Sequence, residues 1–124
     1  SRDWSSDVCS SDLAEALAGS QDCAATMREE YTRRRAQVLQ GLAGIPGVTM
    51  LAPEGGFFAM ADIRAKGIPS NDVRRTLMNE HGVVVVHGSA YGPAGEGTLR
   101  VSFASGGDTL ARGIEALRKG LSAL

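Results

Sequence analysis

The sequence predicts an α+β domain, with helices packed on one face of a small, largely antiparallel sheet. Three observations predict it. Apolar residues recur at helical spacing in three separate stretches, and the last is the strongest: Leu110, Ile114, Leu117, Leu121 and Leu124. Between those stretches lie short segments that alternate, with Leu99, Val101 and Phe103 on one side and Thr98, Arg100 and Ser102 on the other. Sixteen glycines without a collagen period add many tight turns between the segments.

Residues 1–13 stand apart from this pattern. SRDWSSDVCSSDL is rich in Ser and Asp and has no usable helical or strand period. Read back over eleven consecutive codons, Asp3–Leu13 resembles a common sequencing-adapter oligonucleotide, with a natural disordered N-terminal tail as the alternative. Residues 1–13 are therefore expected to be a non-native, disordered tail. The domain is expected to occupy residues 14–124 as the C-terminal piece of a longer protein.

The 124 residues suffice for one domain. Setting aside Arg2, Asp3, Asp7 and Asp12 leaves 12 basic and 11 acidic groups. So even a balance argues against a nucleic-acid partner. No apolar run approaches membrane-spanning length. Two cysteines do not make a disulfide framework, which points to a reducing, cytoplasmic setting. Cys23 reads as a small buried residue.

Taken in order, Ser20 can cap a helix running to Ala43, with Ala24, Met27, Tyr31, Val38 and Leu42 on its inner stripe. Arg33, Arg34 and Arg35 read as a solvated patch on that helix. Gly44, Pro46 and Gly47 stop it. Val48–Leu51 is a short strand, and Pro53–Gly56 a turn. Gly56–Ile63 is a strand with Phe58 and Met60 on one face and Phe57, Ala59, Ala61 and Ile63 on the other. Pro69–Asp72 opens a helix whose stripe is Val73, Leu77, Met78 and His81, and Gly82 ends it. Val83–Val86 reads as a strand buried on both faces. HGSAYGPAGEG is a glycine-rich loop, Thr98–Ala104 a strand, and the last helix starts near Gly107.

Few groups here could carry chemistry. Arg100 lies mid-strand, opposite in direction to three large apolar side chains. Its planar fork suits bidentate capture of a carboxylate. Pairing with a neighbouring acid at the surface is the plain alternative. The glycine loop leads into a strand and has no lysine, so it reads as a turn rather than a phosphate cradle. His81 and His87 have no ligand-spaced partners, so no metal site is expected.

Several segments taken together resemble one family. They are YTRRRAQVLQGLAGIPGV, APEGGFFAMADI, NEHGVVVVHGSAYGPAGEGTLRVSFA and GIEALRKGL. In this order and spacing they resemble the C-terminal, small domain of class I/II pyridoxal-phosphate-dependent aminotransferases, the fold type I group related to aspartate aminotransferase. The resemblance covers essentially all of residues 14–124. It implies transfer of an amino group between an amino acid and a 2-oxo acid, with pyridoxal 5′-phosphate as cofactor in the full-length parent. It also implies a preceding cofactor domain and a homodimeric parent.

By the same resemblance Arg100 binds the substrate α-carboxylate, Phe57 walls the cleft beside the substrate side chain, and Ser89 and Tyr91 sit on a loop near its mouth. Core packing is an equal alternative for Phe57 and Tyr91. The family often has proline where this chain has His87. The Schiff-base lysine of the family lies in an upstream Ser-x-x-Lys-like segment, and neither Lys66 nor Lys119 stands in such a context. No catalytic or cofactor-binding residue is therefore expected in residues 14–124, and the fragment alone is expected to be inactive. A lyase, decarboxylase or synthase of the same cofactor class would keep the same arginine. A stand-alone amino-acid-binding α+β module is the remaining alternative.

Overall fold

The structure, a computed structural model, describes residues 6–124. Its residues fall into two units, one ending at Glu30 and the other spanning Tyr31–Leu124.

The first unit holds helix α1 (Ser6–Ala18) and the first half of helix α2 (Asp22–Gly41). Within residues 1–13, expected from the sequence as a disordered tail, α1 begins at Ser6, and residues 1–5 lie outside the described residues. Residues 11–18 are all exposed. A helix satisfies its backbone bonds locally, so it can form without the apolar stripe that reveals a buried one. Ser20 does cap α2, its hydroxyl accepting the Asp22 N–H at 3.2 Å. Cys23 is a free, exposed thiol, against the expectation of burial. Ala24 and Met27 are exposed as well, Met27 at 55%. The stripe read along α2 is buried only toward its end, where Val38 and then Leu42 enter the core.

The second unit carries a four-stranded sheet in the order β1-β2-β4-β3, antiparallel throughout. The strands are β1 (Thr49–Leu51), β2 (Phe58–Asp62), β3 (Val86–His87) and β4 (Thr98–Ser102). Helices α3 (Ser70–His81) and α4 (Gly107–Ala123) join the end of α2 on one sheet face. The core between them contains Ala59, Ala61, Leu99, Val101 and Phe103 from the sheet side. Leu42, Val73, Leu77, Leu117 and Leu121 meet them from the helices. This is the α+β arrangement expected.

Local chemistry explains most boundaries. Gly82 takes φ 66° after α3, and the Val83 N–H returns to the Leu77 carbonyl at 3.0 Å. Arg118 of α4 donates to the Gly41 and Ala43 carbonyls at 2.8 and 2.9 Å, closing the C-terminal end of α2.

Four expectations fail in instructive ways. The valine run is not a strand buried on both faces. Only Val86 of it pairs, Val85 is buried, and Val84 is 78% exposed. Val83–Val85 precede the two-residue edge strand rather than joining the sheet, and Val84 is left uncovered. Phe57 is not buried with Ala59 and Ala61: it lies just before β2, 38% exposed, with its ring stacked on Tyr31 at 5.9 Å. Met78 is exposed rather than part of the α3 stripe. The arginine patch on α2 is partly structural. Arg34 donates to the Ala104 carbonyl at 2.6 Å, and Arg35 to the Pro53 carbonyl at 2.7 Å.

Candidate substrate-carboxylate site

Strand β4 sends Leu99 and Val101 into the core and leaves Arg100 half-buried on the opposite sheet face. Register decides what surrounds it. Met60 lies directly across from Arg100 on β2, and Val86 across on β3. Phe58 and Asp62 are its diagonal neighbours, being opposite Ser102 and Thr98.

The guanidinium is held by rings. Its central carbon is 4.1 Å from the Phe58 ring centroid and 5.2 Å from that of Tyr91. Such contacts leave the N–H groups of the fork free for an anion while restraining its plane. No described residue pairs with Arg100 through a salt bridge or hydrogen bond. The acid best placed to do so, Asp62, is occupied by Arg64. The Arg64 Nε donates to both carboxylate oxygens at 3.0 Å, its terminal nitrogen adds a further bond to Oδ2, and its backbone N–H donates at 3.0 Å. These hydrogen bonds from Arg64 hold the Asp62 carboxyl below the usual carboxylate range. Surface pairing with a neighbouring acid, the plain alternative for Arg100, is thus not what the geometry gives.

The glycine loop covers one side of this site. It folds into two 3₁₀ turns, Gly88–Tyr91 and Pro93–Gly95. They press together so closely that a Cβ on Gly88 would fall 1.9 Å from the Gly95 carbonyl oxygen. Tyr91 ends the first turn and reaches Arg100.

Of the residues expected from the sequence, Arg100 and Tyr91 are brought together directly. Phe57 stands one ring further out. Its centroid is 4.4 Å from Phe58 and 5.9 Å from Tyr31. Ser89 does not reach Arg100 by any recorded bond. Its hydroxyl is 2.8 Å from His87 Nδ1 and 3.4 Å from the Ser70 hydroxyl. Two participants escaped the sequence reading. Phe58 was legible as a same-face residue, but its contact with Arg100 needed the pairing of β2 with β4. Glu96 gave no signal, because its partners are 26 residues away.

An open cleft of about 540 Å³ lies elsewhere, along Val83–Val85, Val101, Ser102 and one side of α4. None of the candidate residues lines it, and the aromatic-flanked arginine is the better-built anion site. Among the described residues no group of His, Cys, Asp and Glu could hold a metal ion. None of their helices is long and apolar enough to cross a membrane.

Comparison with known proteins decides the family. The family model for aminotransferase class I and II matches residues 1–117. The chain belongs to that family. Among its relatives, an arginine–pyruvate transaminase of Pseudomonas aeruginosa is 42% identical over 84 residues, which is 68% of this chain and 21% of the relative. A probable N-acetyl-LL-diaminopimelate aminotransferase of Bacillus subtilis is 36% identical over 103 residues, covering 83% of this chain and 26% of the relative. An aromatic aminotransferase from Pyrococcus horikoshii superposes with a TM-score of 0.80 at 35% identity, covering 89% of this chain and 30% of that structure. This aminotransferase chain therefore spans about a quarter of the length of the curated relatives it matches.

Proposed function

We propose that this chain supplies the substrate-carboxylate arginine, Arg100, of an aminotransferase that moves an amino group between an amino acid and a 2-oxo acid. One observation carries the reading: the Arg100 guanidinium rests on Phe58 and Tyr91, outside the core, while the nearest acid in register is bound to Arg64. An arginine so restrained and unneutralised presents a preformed two-point receptor for a carboxylate. Two hydrogen bonds fix the rotation of the bound amino acid, which a lysine point charge would not do. In this reading Tyr91 borders the carboxylate, Phe57 continues the apolar wall along which a substrate side chain runs, and Ser89 holds the loop.

Pyridoxal 5′-phosphate is the cofactor of this family. The described residues do not fit it as a holder. Their two lysines, Lys66 and Lys119, lie on the 3₁₀ turn after β2 and on α4, and neither is on a strand of the Arg100 face. The cofactor's electron-sink chemistry belongs, in this proposal, to a cofactor domain joined to this one in the whole enzyme. A homodimer and a cytoplasmic setting are part of the proposal on the family resemblance.

The test is Arg100→Ala in the whole enzyme. Carboxylate binding is expected to weaken by about 2–5 kcal/mol, the usual result of truncating one member of a desolvated charge pair. It is read as the change in kcat/KM for amino acids. Turnover at the wild-type level would remove Arg100 from the site.

A further inference from the structure

The glycine loop that carries Tyr91 needs an anchor, because its glycines and short 3₁₀ turns give it little stiffness of its own. The anchor is Glu96. Its Oε1 accepts the Ser70 N–H at 2.7 Å and its Oε2 the Ser70 hydroxyl at 3.0 Å. Ser70 is the first residue of α3 and is fully buried. No side chain near α3 in sequence caps that helix, so the carboxylate from the loop takes the role. The Ser70 hydroxyl lies 3.4 Å from that of Ser89, which in turn is 2.8 Å from His87 Nδ1. Both ends of the loop, His87–Ser89 and Glu96, are thus fastened to the buried start of one helix. Between them stands Tyr91, 5.2 Å from the Arg100 guanidinium.

We propose that Glu96 is a positioning residue: by clasping the glycine loop to the start of α3 it sets Tyr91 against Arg100 and so fixes the plane in which the arginine meets a carboxylate. The inference rests on the carboxylate reading of Arg100 and adds to it a residue that touches neither Arg100 nor substrate. The clasp is non-local and charge-assisted, and it ties the loop to a rigid element.

The full 124-residue chain, labelled with nitrogen-15, provides the test. The Nε–Hε resonance of Arg100, assigned by its loss in Arg100→Lys, reports the ring beside it, and acetate is the probe. In the intact chain the Tyr91 ring, 5.2 Å from the guanidinium, is expected to displace this resonance, and Tyr91→Ala to remove the displacement. Glu96→Ala is expected to move the resonance to the Tyr91→Ala position and to weaken acetate binding about five-fold, roughly the worth of one net hydrogen bond. In the Glu96→Ala/Tyr91→Ala double variant the two effects should not add, since one acts through the other. A Glu96→Ala resonance at the wild-type position, or additive effects in the double variant, overturns the proposal. Should Glu96→Ala fail to fold, Ser89→Ala cuts only the loop end of the clasp and leaves the cap on α3. It is expected to shift the resonance in the same direction, and an unmoved resonance there overturns the proposal as well. A wild-type resonance that ignores acetate while the Glu96–Tyr91 coupling holds would sink the carboxylate reading and leave the clasp standing.

Discussion

The two faces of β4 obey different rules. Leu99, Val101 and Phe103 follow the strand pattern and are buried against three helices. Thr98, Arg100 and Ser102 follow the same alternation onto the face opposite the α3 and α4 core, and what each does there depends on neighbours from other strands and from a loop. The core face is a matter of volume and apolar area, so any well-filled arrangement serves it. The other face is a matter of aim, and aim depends on residues far apart in the chain. On the proposed reading of Arg100, one strand is stable for one set of reasons and functional for another, with almost no overlap between them.

That separation can be broken by experiment. The largest effect belongs to the core face. Phe103→Ala removes a fully buried ring that also meets Tyr31 edge-on at 6.4 Å. It should cost about 3–5 kcal/mol in urea unfolding. An equal loss from Arg100→Ala would erase the distinction between the faces. Next comes the loop. At Gly88 an added methyl meets the Gly95 carbonyl and the Thr98 hydroxyl at 1.9 and 2.0 Å. Gly88→Ala should cost about 1–3 kcal/mol by overpacking. It should also loosen the hold on Arg100, tying this loop to the face proposed to bind substrate. Smaller still, Arg100→Ala should change stability by only about 0.5–1 kcal/mol, the scale of an exposed cation–π contact. Calorimetry on that variant checks whether Arg100 is retained for binding rather than for folding.

The last effect concerns pH. The Ser70 N–H, with smaller help from Gly97, the Ser70 hydroxyl and Ser89, holds the Glu96 carboxyl below its ordinary value. A lowered folded-state pKa means that the clasp contributes stability above the ordinary carboxylate range. That contribution is lost as pH falls from that range through the lowered value. The melting temperature of wild type should therefore exceed that of Glu96→Gln at neutral pH, and the gap should narrow in acid. A gap independent of pH would show that charge plays no part in the clasp. Asp62 titrates in the same direction through its bonds to Arg64, so the comparison must be made between these two proteins rather than on wild type alone.

Much of the fold was legible because its cause is periodic. The stripe on α4 and the alternation on β4 report burial directly, and both elements formed where the pattern put them. Arg100 was legible by the same means, as the odd residue between buried ones. Phe58 was half legible: the pattern gave its face but not its partner strand. Met27, Met78 and Val84 misled for a common reason. Each is apolar and well spaced, yet periodicity says only which residues point the same way, not whether anything packs there. Glu96 was invisible, since a loop acid 26 residues from the helix it caps has no local signature.

By itself, then, the amino-acid order determined most of the elements, the sheet's buried side, the family and the direction of Arg100 away from the core. Those follow from interactions within a turn or a strand, where spacing along the chain is spacing in space. Only the tertiary structure decided that Arg100 rests on Phe58 and Tyr91, that Asp62 is spent on Arg64, and that Glu96 fastens the loop. Each of these depends on strand register or on chain closure, and distance along the sequence carries no information about either.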